Sequence, residues 1–184
     1  MKAIKTKYKG ILFRSKLEAQ WAKFFDAISM PWIYEPEGYV FEDGTTYLPD
    51  FFLPDSKQWF EVKGVMSDKD MHKIKMLCIE SGHDVVIGYS DGELSMIDMF
   101  FAEFNGGQPE EYSWGSININ KCRKCGKLSF MNDVGSYACQ CCGAYDGDHF
   151  VDWHSVPTPD REEWREMATI DVMDQQEPLA YTHD

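Results

Sequence analysis

Five of the six cysteines lie between residues 122 and 142, and they constrain the fold of this 184-residue chain more than any other feature. Four of them form two Cys-x-x-Cys-Gly pairs, Cys122 with Cys125 and Cys139 with Cys142. Each pair can place two thiolates on one tetrahedral ion, and the following glycine permits the tight turn behind it. The pairs therefore predict a closed site for one structural Zn²⁺, which stabilises the fold and does no chemistry. Cys141 is left over and could compete with Cys139 for the metal.

A redox dithiol and adventitious metal binding are the two alternatives for these pairs. In a reducing compartment, clustered cysteines bind metal more often than they form disulfides. The N-terminal residues lack the apolar run of a secretion signal, and no stretch approaches the roughly 18 uninterrupted apolar residues of a membrane span. We therefore expect an intracellular, cytoplasmic protein with no membrane partner.

The formal net charge of −13 opposes simple electrostatic binding to nucleic acid, because Lys and Arg supply most of the non-specific affinity. The acidity is regional, however. Residues 1–23 carry seven Lys or Arg side chains and a single acid, whereas residues 84–111 carry seven acids and no Lys or Arg. Residues 157–184 form an acidic C-terminal tail with a predicted short helix at 160–168, which is either solvated or shields the basic N-terminal surface.

Apolar periodicity predicts helices at residues 15–28 and 67–81 and a further helix at 94–104. Alternation and turn signals predict β segments at residues 32–34, 39–41, 46–53, 58–63 and 84–89, with a hairpin turn at 42–44. This order of elements predicts an α/β fold in which helices pack on a mixed sheet. The glycines and the proline at residues 106–109 mark the end of this main domain, which we assign to residues 1–112.

Three charged residues occupy a predicted strand–turn–strand unit: Asp50 after Pro49, then Glu61 and Lys63. Alternate side chains of a strand share a face, so Glu61 and Lys63 project together. Asp50 lies among apolar residues, where a buried carboxylate needs a cation or hydrogen-bonding partners. Two carboxylates and a main-chain carbonyl near Val62 are ligands of the kind that Mg²⁺ prefers, and an ammonium group can act on an attacking water. The alternative is a solvent-facing strand with Asp50 capping a turn.

Four motifs in this order resemble the PD-(D/E)XK nuclease superfamily, which includes restriction enzymes, phage resolvases and transposon end-cleaving subunits. The resemblance covers about residues 8–90 and rests on Phe13-Arg14-Ser15-Lys16-Leu17-Glu18, Tyr34-Glu35-Pro36, Pro49-Asp50 and Glu61-Val62-Lys63-Gly64.

The resemblance implies a restriction-endonuclease-like fold and metal-dependent hydrolysis of DNA. It implies that Asp50 and Glu61 hold Mg²⁺ or Mn²⁺, with the Val62 carbonyl, while Lys63 acts on water and phosphate. It implies that Glu18 completes the site. Ser15-x-x-Glu18 is also the pattern of a capping box, so a helix cap is the alternative role for Glu18.

Residues 113–156 resemble a zinc ribbon, with short strands expected at 128–130 and 135–138. We expect DNA as the partner, a protein as the alternative partner of the ribbon or the acidic tail, and a homodimer if both strands of a duplex are cut. The alternative function is a nucleic-acid-binding or protein-binding module on a nuclease fold, including an inhibitor-like protein, without cleavage.

Overall fold

The computed structural model describes residues 3–90, 92–98, 109–112, 117–132, 139–144, 151–156, 161–167 and 169. Within these residues, strands and short helices alternate along the chain. The elements are β1 (Thr6–Tyr8), β2 (Ile11–Phe13), α1 (Lys16–Ala27), β3 (Ile33–Tyr34), β4 (Tyr39–Val40), β5 (Thr46–Tyr47), β6 (Phe51–Leu53), β7 (Gln58–Val62), α2 (Asp68–Ser81), β8 (Val85–Gly88), β9 (Leu94–Asp98), β10 (Glu110–Tyr112), β11 (Ile117–Cys122), β12 (Leu128–Asn132), β13 (Val151–Val156) and α3 (Arg161–Met167).

A mixed sheet of six strands forms the centre of the fold, in the order β10-β9-β8-β7-β6-β3. Strands β7 and β8 are parallel, and the other neighbours are antiparallel. A parallel pair needs a long crossover connection, and α2 supplies it. The expectation of an α/β fold with a mixed sheet is therefore confirmed.

The two faces of this sheet belong to two separate hydrophobic clusters. Along β8, Val86 belongs to the cluster that includes α1, whereas Val85 and Ile87 belong to the cluster that includes α2. Because successive strand side chains point to opposite faces, one helix packs on each side of the sheet. Burial of each large apolar side chain contributes about 1.5–3 kcal/mol. The α1 side includes Trp21, Phe24, Phe25, Phe51 and Phe60, and the α2 side includes Trp59, Ile74, Leu77 and Cys78.

Both helices begin at a capping serine, and the second ends at a glycine. Ser15 is the N-cap of α1, and its hydroxyl accepts a hydrogen bond from the Glu18 backbone N–H. Ser67 and Asp70 form a reciprocal capping box at the start of α2, and Gly82 ends that helix with a φ of 67°. The helices predicted at residues 15–28 and 67–81 are therefore confirmed to within a residue at each end.

The helix predicted at residues 94–104 is wrong over its first five residues, which form β9. Leu94 and Met96 pack in the α1-side cluster, whereas Ile97 packs in the α2-side cluster, so the side chains alternate between the two faces of the sheet. β9 lies between β8 and β10, and apolar residues on both of its faces are buried. A run that is apolar on both faces carries little periodic signal, which is why it resembles a helix in sequence. Residues 99–104 lie outside the described residues.

The strand predicted at residues 46–53 is interrupted between β5 and β6. β5 pairs with β4 in a separate two-stranded hairpin, whereas β6 joins the central sheet. Pro49 lies in this break, and a proline cannot donate a backbone hydrogen bond to a neighbouring strand. The interruption leaves Asp50 immediately before the edge of the central sheet.

The C-terminal strands form a three-stranded sheet in the order β12-β11-β13. Ile117, Ile119 and Phe130 of this sheet belong to the same hydrophobic cluster as α1. The short acidic helix predicted at residues 160–168 is confirmed as α3, and its Trp164 is only 1% exposed in the same cluster. The strand expected at residues 135–138 lies outside the described residues. The predicted division into residues 1–112, 113–156 and 157–184 remains a prediction. One hydrophobic cluster includes residues from all three of these segments.

No helix within the described ranges combines the length and the apolar character that crossing a membrane requires.

Candidate active site and metal centre

The two predicted catalytic carboxylates meet at the ends of adjacent strands. β6 and β7 are antiparallel, and Phe51 lies opposite Phe60. This register brings Asp50 beside Glu61, and backbone bonds hold each carboxylate: the Asp50 N–H donates to Glu61 Oε1 (3.1 Å) and the Val62 N–H donates to Asp50 Oδ2 (2.8 Å). The strand pairing therefore determines the position of both acids.

Lys63 and Tyr47 complete the immediate surroundings of Glu61. Lys63 Nζ lies 3.2 Å from Glu61 Oε2, as the strand alternation predicts. The Tyr47 hydroxyl donates to the same oxygen at 2.5 Å. The Lys63 backbone N–H donates to the Gly88 carbonyl of the parallel strand β8 (3.0 Å). The ammonium group is thus held beside the carboxylates by its own side-chain contact and by the sheet.

Gly88 is required by the packing next to the site. A Cβ atom at this position would lie 2.4 Å from the Phe60 ring and 2.5 Å from the Trp21 ring. Both distances are below any real Cβ contact, and both neighbours are fully buried aromatic side chains. The absence of a side chain at Gly88 therefore lets α1 approach the sheet where the carboxylates lie.

Burial dominates the electrostatics of this cluster. Asp50 is 5% exposed and Glu61 is 1% exposed. Burial, followed by the negative charge of Glu61, raises the pKa of Asp50 well above its ordinary value, while the ammonium of Lys63 opposes that shift. Burial lowers the pKa of Lys63, but the charges of Glu61 and Asp50 outweigh it and raise that pKa above its ordinary value. Two adjacent buried carboxylates need positive charge, and Lys63 supplies part of it.

Arg14 supplies further positive charge, although no pattern in the sequence predicts a role for it at the site. Its Nη2 donates to Asp50 Oδ1 at 2.5 Å, and its Nε lies 2.6 Å from Glu35 Oε1. Burial lowers the pKa of Arg14, but the charge of Asp50 outweighs this effect and raises it above the ordinary value. With the Val62 N–H on Oδ2, both oxygens of Asp50 accept hydrogen bonds. The one available signal was the position of Arg14 directly before the N-cap Ser15.

Glu18 is both a cap residue and a neighbour of the site. The Ser15 hydroxyl donates to Glu18 Oε1 (2.7 Å), while Glu18 Oε2 accepts from the Arg14 backbone N–H (3.1 Å) and the Tyr34 hydroxyl (2.6 Å). Burial, followed by the hydrogen bond to Glu18, raises the pKa of Tyr34 above its ordinary value. The charge of Glu18 contributes to the raised pKa of Asp50. Arg14 links the two acids, because its Nε also lies 3.9 Å from Glu18.

A cavity of about 610 Å³ opens onto these residues. The cavity is lined by the carboxylate cluster with Lys63, by the β4–β5 hairpin and its flanking residues, by one lysine of α2 and by Arg14. The residues are Arg14, Gly38, Tyr39, Val40, Thr46, Tyr47, Leu48, Asp50, Glu61, Lys63 and Lys73.

The four cysteines expected to bind zinc lie together at a second place in the fold. Their sulfur atoms all lie within 4.8 Å of one another, with Cys122 and Cys142 3.9 Å apart and Cys125 and Cys139 3.8 Å apart. A tetrahedral ion with Zn–S bonds of about 2.3 Å has sulfur–sulfur edges of about 3.8 Å. The cluster could therefore hold a metal ion such as zinc.

The two knuckles have the same backbone conformation. In each, the glycine after the second cysteine donates its N–H to the carbonyl of the first cysteine, four residues earlier, and Gly126 and Gly143 have φ values of 72° and 66°. Those positive angles favour glycine, as expected from the sequence. The leftover Cys141 instead directs its thiol to the Leu128 carbonyl (3.6 Å).

Thiol ionisation in this cluster is uneven. Burial alone would raise the pKa of Cys122, but the backbone N–H groups of Cys125 and Lys124 lower it to about 7. Burial raises the pKa of Cys139 above its ordinary value. Metal ligation needs deprotonated thiols, so binding of an ion here would release protons and depend on pH.

Side-chain hydrogen bonds join the cysteine region directly to the central sheet. The side chain of Gln58, on β7, donates to the Phe130 carbonyl (2.8 Å) and accepts from the Phe130 N–H (3.0 Å). Gln58 is fully buried and lies three residues before Glu61. Two further side-chain contacts join the same parts: Lys127 with Asp55 (2.6 Å) and Gln140 with Asp84 (2.7 Å). The cysteine cluster and the carboxylate cluster are therefore connected through one strand.

No protein-family model and no curated protein matches the chain.

Proposed function

We propose that this protein is a metal-dependent DNA endonuclease of the PD-(D/E)XK type, with a restriction-endonuclease-like fold and a structural zinc ribbon. The observation that carries the proposal is the convergence of Asp50, Glu61 and Lys63 at the ends of β6 and β7. An amphipathic strand facing solvent would leave Glu61 exposed, whereas Glu61 is 1% exposed beside a cavity. Two buried carboxylates beside a cavity suit a hard divalent cation.

The donor set fits Mg²⁺ or Mn²⁺. Asp50 and Glu61 would hold the ion, and one bound ion would supply Lewis-acid stabilisation of the phosphate and a lowered pKa for the attacking water. Lys63 would orient that water and offset negative charge on the phosphate, because its ammonium lies against Glu61 and lines the cavity. Glu18 would act through Arg14 and Tyr34 by fixing the surroundings of Asp50. It is therefore a positioning residue in this scheme.

The second candidate is a binding module without cleavage, and the Arg14 contacts favour it. Arg14 and the Val62 N–H together occupy both oxygens of Asp50, so the acids have partners without any metal. A permanent network of this kind would serve stability alone. The two candidates differ in one measurable property, since only an enzyme needs Asp50 to bind a divalent ion.

A cleavage panel tests the proposal. Purified protein is incubated with single-stranded, duplex, branched and circular DNA in Mg²⁺, Mn²⁺ or EDTA. We expect cleavage that requires a divalent ion and that is lost in Asp50→Asn and Lys63→Ala. Absence of cleavage by the wild-type protein on every substrate, or full activity in either variant, would reject the nuclease.

Matched controls separate loss of chemistry from loss of folding. Lys69→Ala removes an exposed lysine of α2, and Glu80→Gln neutralises an exposed acid on the same helix. Both should cut DNA as the wild type does. Circular dichroism and the zinc content of all four variants should be unchanged, because none of these residues contacts the cysteine cluster in the described structure.

A further inference from the structure

The cavity over the carboxylates has a buried acidic floor and a more exposed basic rim. The side chains of Asp50 and Glu61 are 7% and 1% exposed, whereas those of Lys63 and Arg14 are 17% and 48% exposed. An incoming anion therefore meets the cations first. Phosphate groups are the natural complement of clustered Lys and Arg side chains.

Lys73 is a third cation of this rim. It lines the cavity, whereas Lys69 and Lys75 of the same helix do not. Its Nζ lies 5.6 Å from the centre of the Tyr47 ring, and Lys63 Nζ lies 5.9 Å from the same centre. The two ammonium groups thus lie near one ring at the rim of the cavity, where they can contact phosphate groups.

The β4–β5 hairpin adds an apolar wall to the same cavity. Val40 is 76% exposed and Leu48 is 39% exposed, and both line it together with Tyr39. A single exposed apolar side chain needs no explanation, but two that face one cavity beside phosphate-binding cations suit a nucleotide base. The base faces of a duplex are covered by stacking, whereas those of an unpaired strand are free.

The cavity can take a base only from an unpaired strand. A sphere of its volume is about 10 Å across, and the bases of a duplex cannot reach the apolar wall of such a cavity, because stacking covers their faces. We propose that this cavity binds one unpaired DNA strand, with phosphates on Lys73 and Arg14 and a base against Val40 and Leu48. The inference rests on the proposed function and names its substrate class as single-stranded or locally unpaired DNA.

Strand binding is measured by fluorescence anisotropy without added Mg²⁺ or Mn²⁺, so that no cleavage occurs while the cysteine cluster keeps its metal, with an oligothymidylate and a duplex of equal length. We expect the wild-type protein to bind the oligothymidylate about tenfold more tightly than the duplex at matched salt, because stacking adds to phosphate contacts. Val40→Ser should weaken single-strand binding by about fivefold, because the base would no longer bury an apolar side chain at this position. Lys73→Ala should reduce the slope of log K against log salt by about 0.7, the value for one phosphate contact on a single strand.

The chain offers a matched control for each variant. Val65→Ser alters a valine that is 86% exposed and does not line the cavity, and Lys69→Ala alters an exposed lysine of α2. Both should bind as the wild type does. All four substitutions lie at surface positions, and circular dichroism verifies that each variant is folded.

Equal affinity for duplex and single strand, or an effect of Val40→Ser no larger than that of Val65→Ser, would overturn the cavity assignment. This readout is independent of cleavage. A protein that cuts DNA with Mg²⁺ but fails these binding tests would retain the nuclease function and lose only the strand assignment. Conversely, strand binding with the expected variant effects but no cleavage would support the assignment and reject the nuclease.

Discussion

Arg14→Gln should increase the affinity of the protein for Mn²⁺. Arg14 donates to Asp50 Oδ1, and the other oxygen of Asp50 already accepts from the Val62 N–H. A divalent ion that binds Oδ1 therefore competes with the guanidinium for that oxygen and is repelled by its positive charge. In the wild-type protein the ion weakens the contact between Arg14 and Asp50, whereas the glutamine variant has no such ionic contact to lose.

The size of the effect follows from the geometry of Arg14. It makes two close contacts with carboxylates, to Asp50 at 2.5 Å and to Glu35 at 2.6 Å. A hydrogen bond to a charged group contributes about 1.5–3 kcal/mol when shielded from solvent. The ion competes only with the contact to Asp50, and the Arg14 side chain is 48% exposed, so solvent screening reduces that contact to about 1 kcal/mol. This free energy corresponds to an affinity change of about fivefold.

Isothermal titration calorimetry with Mn²⁺ at fixed pH and ionic strength measures this change. Lys16→Gln is the matched control, because it removes an exposed positive charge two residues away without touching the carboxylates. Asp50→Asn should abolish the binding event. Equal Mn²⁺ affinity in Arg14→Gln and the wild type would refute the competition. Absence of binding in both proteins would instead reject the metal site itself.

Four further outcomes are expected. In EDTA, the folded state should bind more protons than the unfolded state between the ordinary pKa of Asp50, about 3.9, and its raised folded value. Wild-type stability should therefore fall as pH rises through that window, and urea unfolding should show no such slope for Asp50→Asn. Trp164→Ala should lower the unfolding free energy by about 3 kcal/mol, because this side chain is 1% exposed and its ring centre lies 4.1 Å from that of Trp21, whereas exposed Glu166→Ala should change it little. Gly88→Ala should destabilise the protein by about 1–3 kcal/mol through overpacking, measured in the same way. Removal of the cysteine-bound metal by a chelator should release one ion per chain, measured by a colorimetric zinc assay, and lower the melting temperature of the central sheet through the Gln58 contacts.

The parts of the fold that depend on near neighbours were predictable. Ser15 and Ser67 begin the two long helices, and Gly82 ends the second, because caps satisfy backbone groups within one turn. The spacing of the cysteine pairs predicted which four thiols meet. Strand alternation predicted that Lys63 lies against Glu61, since the two residues are separated by one position on the same strand.

The parts that depend on remote partners were not predictable from local pattern. β9 is a strand because it pairs on both sides within the sheet, and its doubly buried sequence carries no clear period. Trp164 is buried by α1, far away in sequence, although the residues around it are acidic and typical of a solvated surface.

The carboxylate cluster depends both on near neighbours in the sequence and on remote partners in the fold. The sequence by itself identified Asp50, Glu61 and Lys63 as candidates, because their types and order are readable along one strand–turn–strand unit. Only the tertiary structure brought in Arg14, which is 36 residues from Asp50 and contacts it at 2.5 Å. No local rule specifies such a contact, since it requires the residue before the α1 cap and the residue before β6 to lie next to each other in the folded protein. Tertiary packing therefore decided which cation neutralises the acids that the sequence had identified.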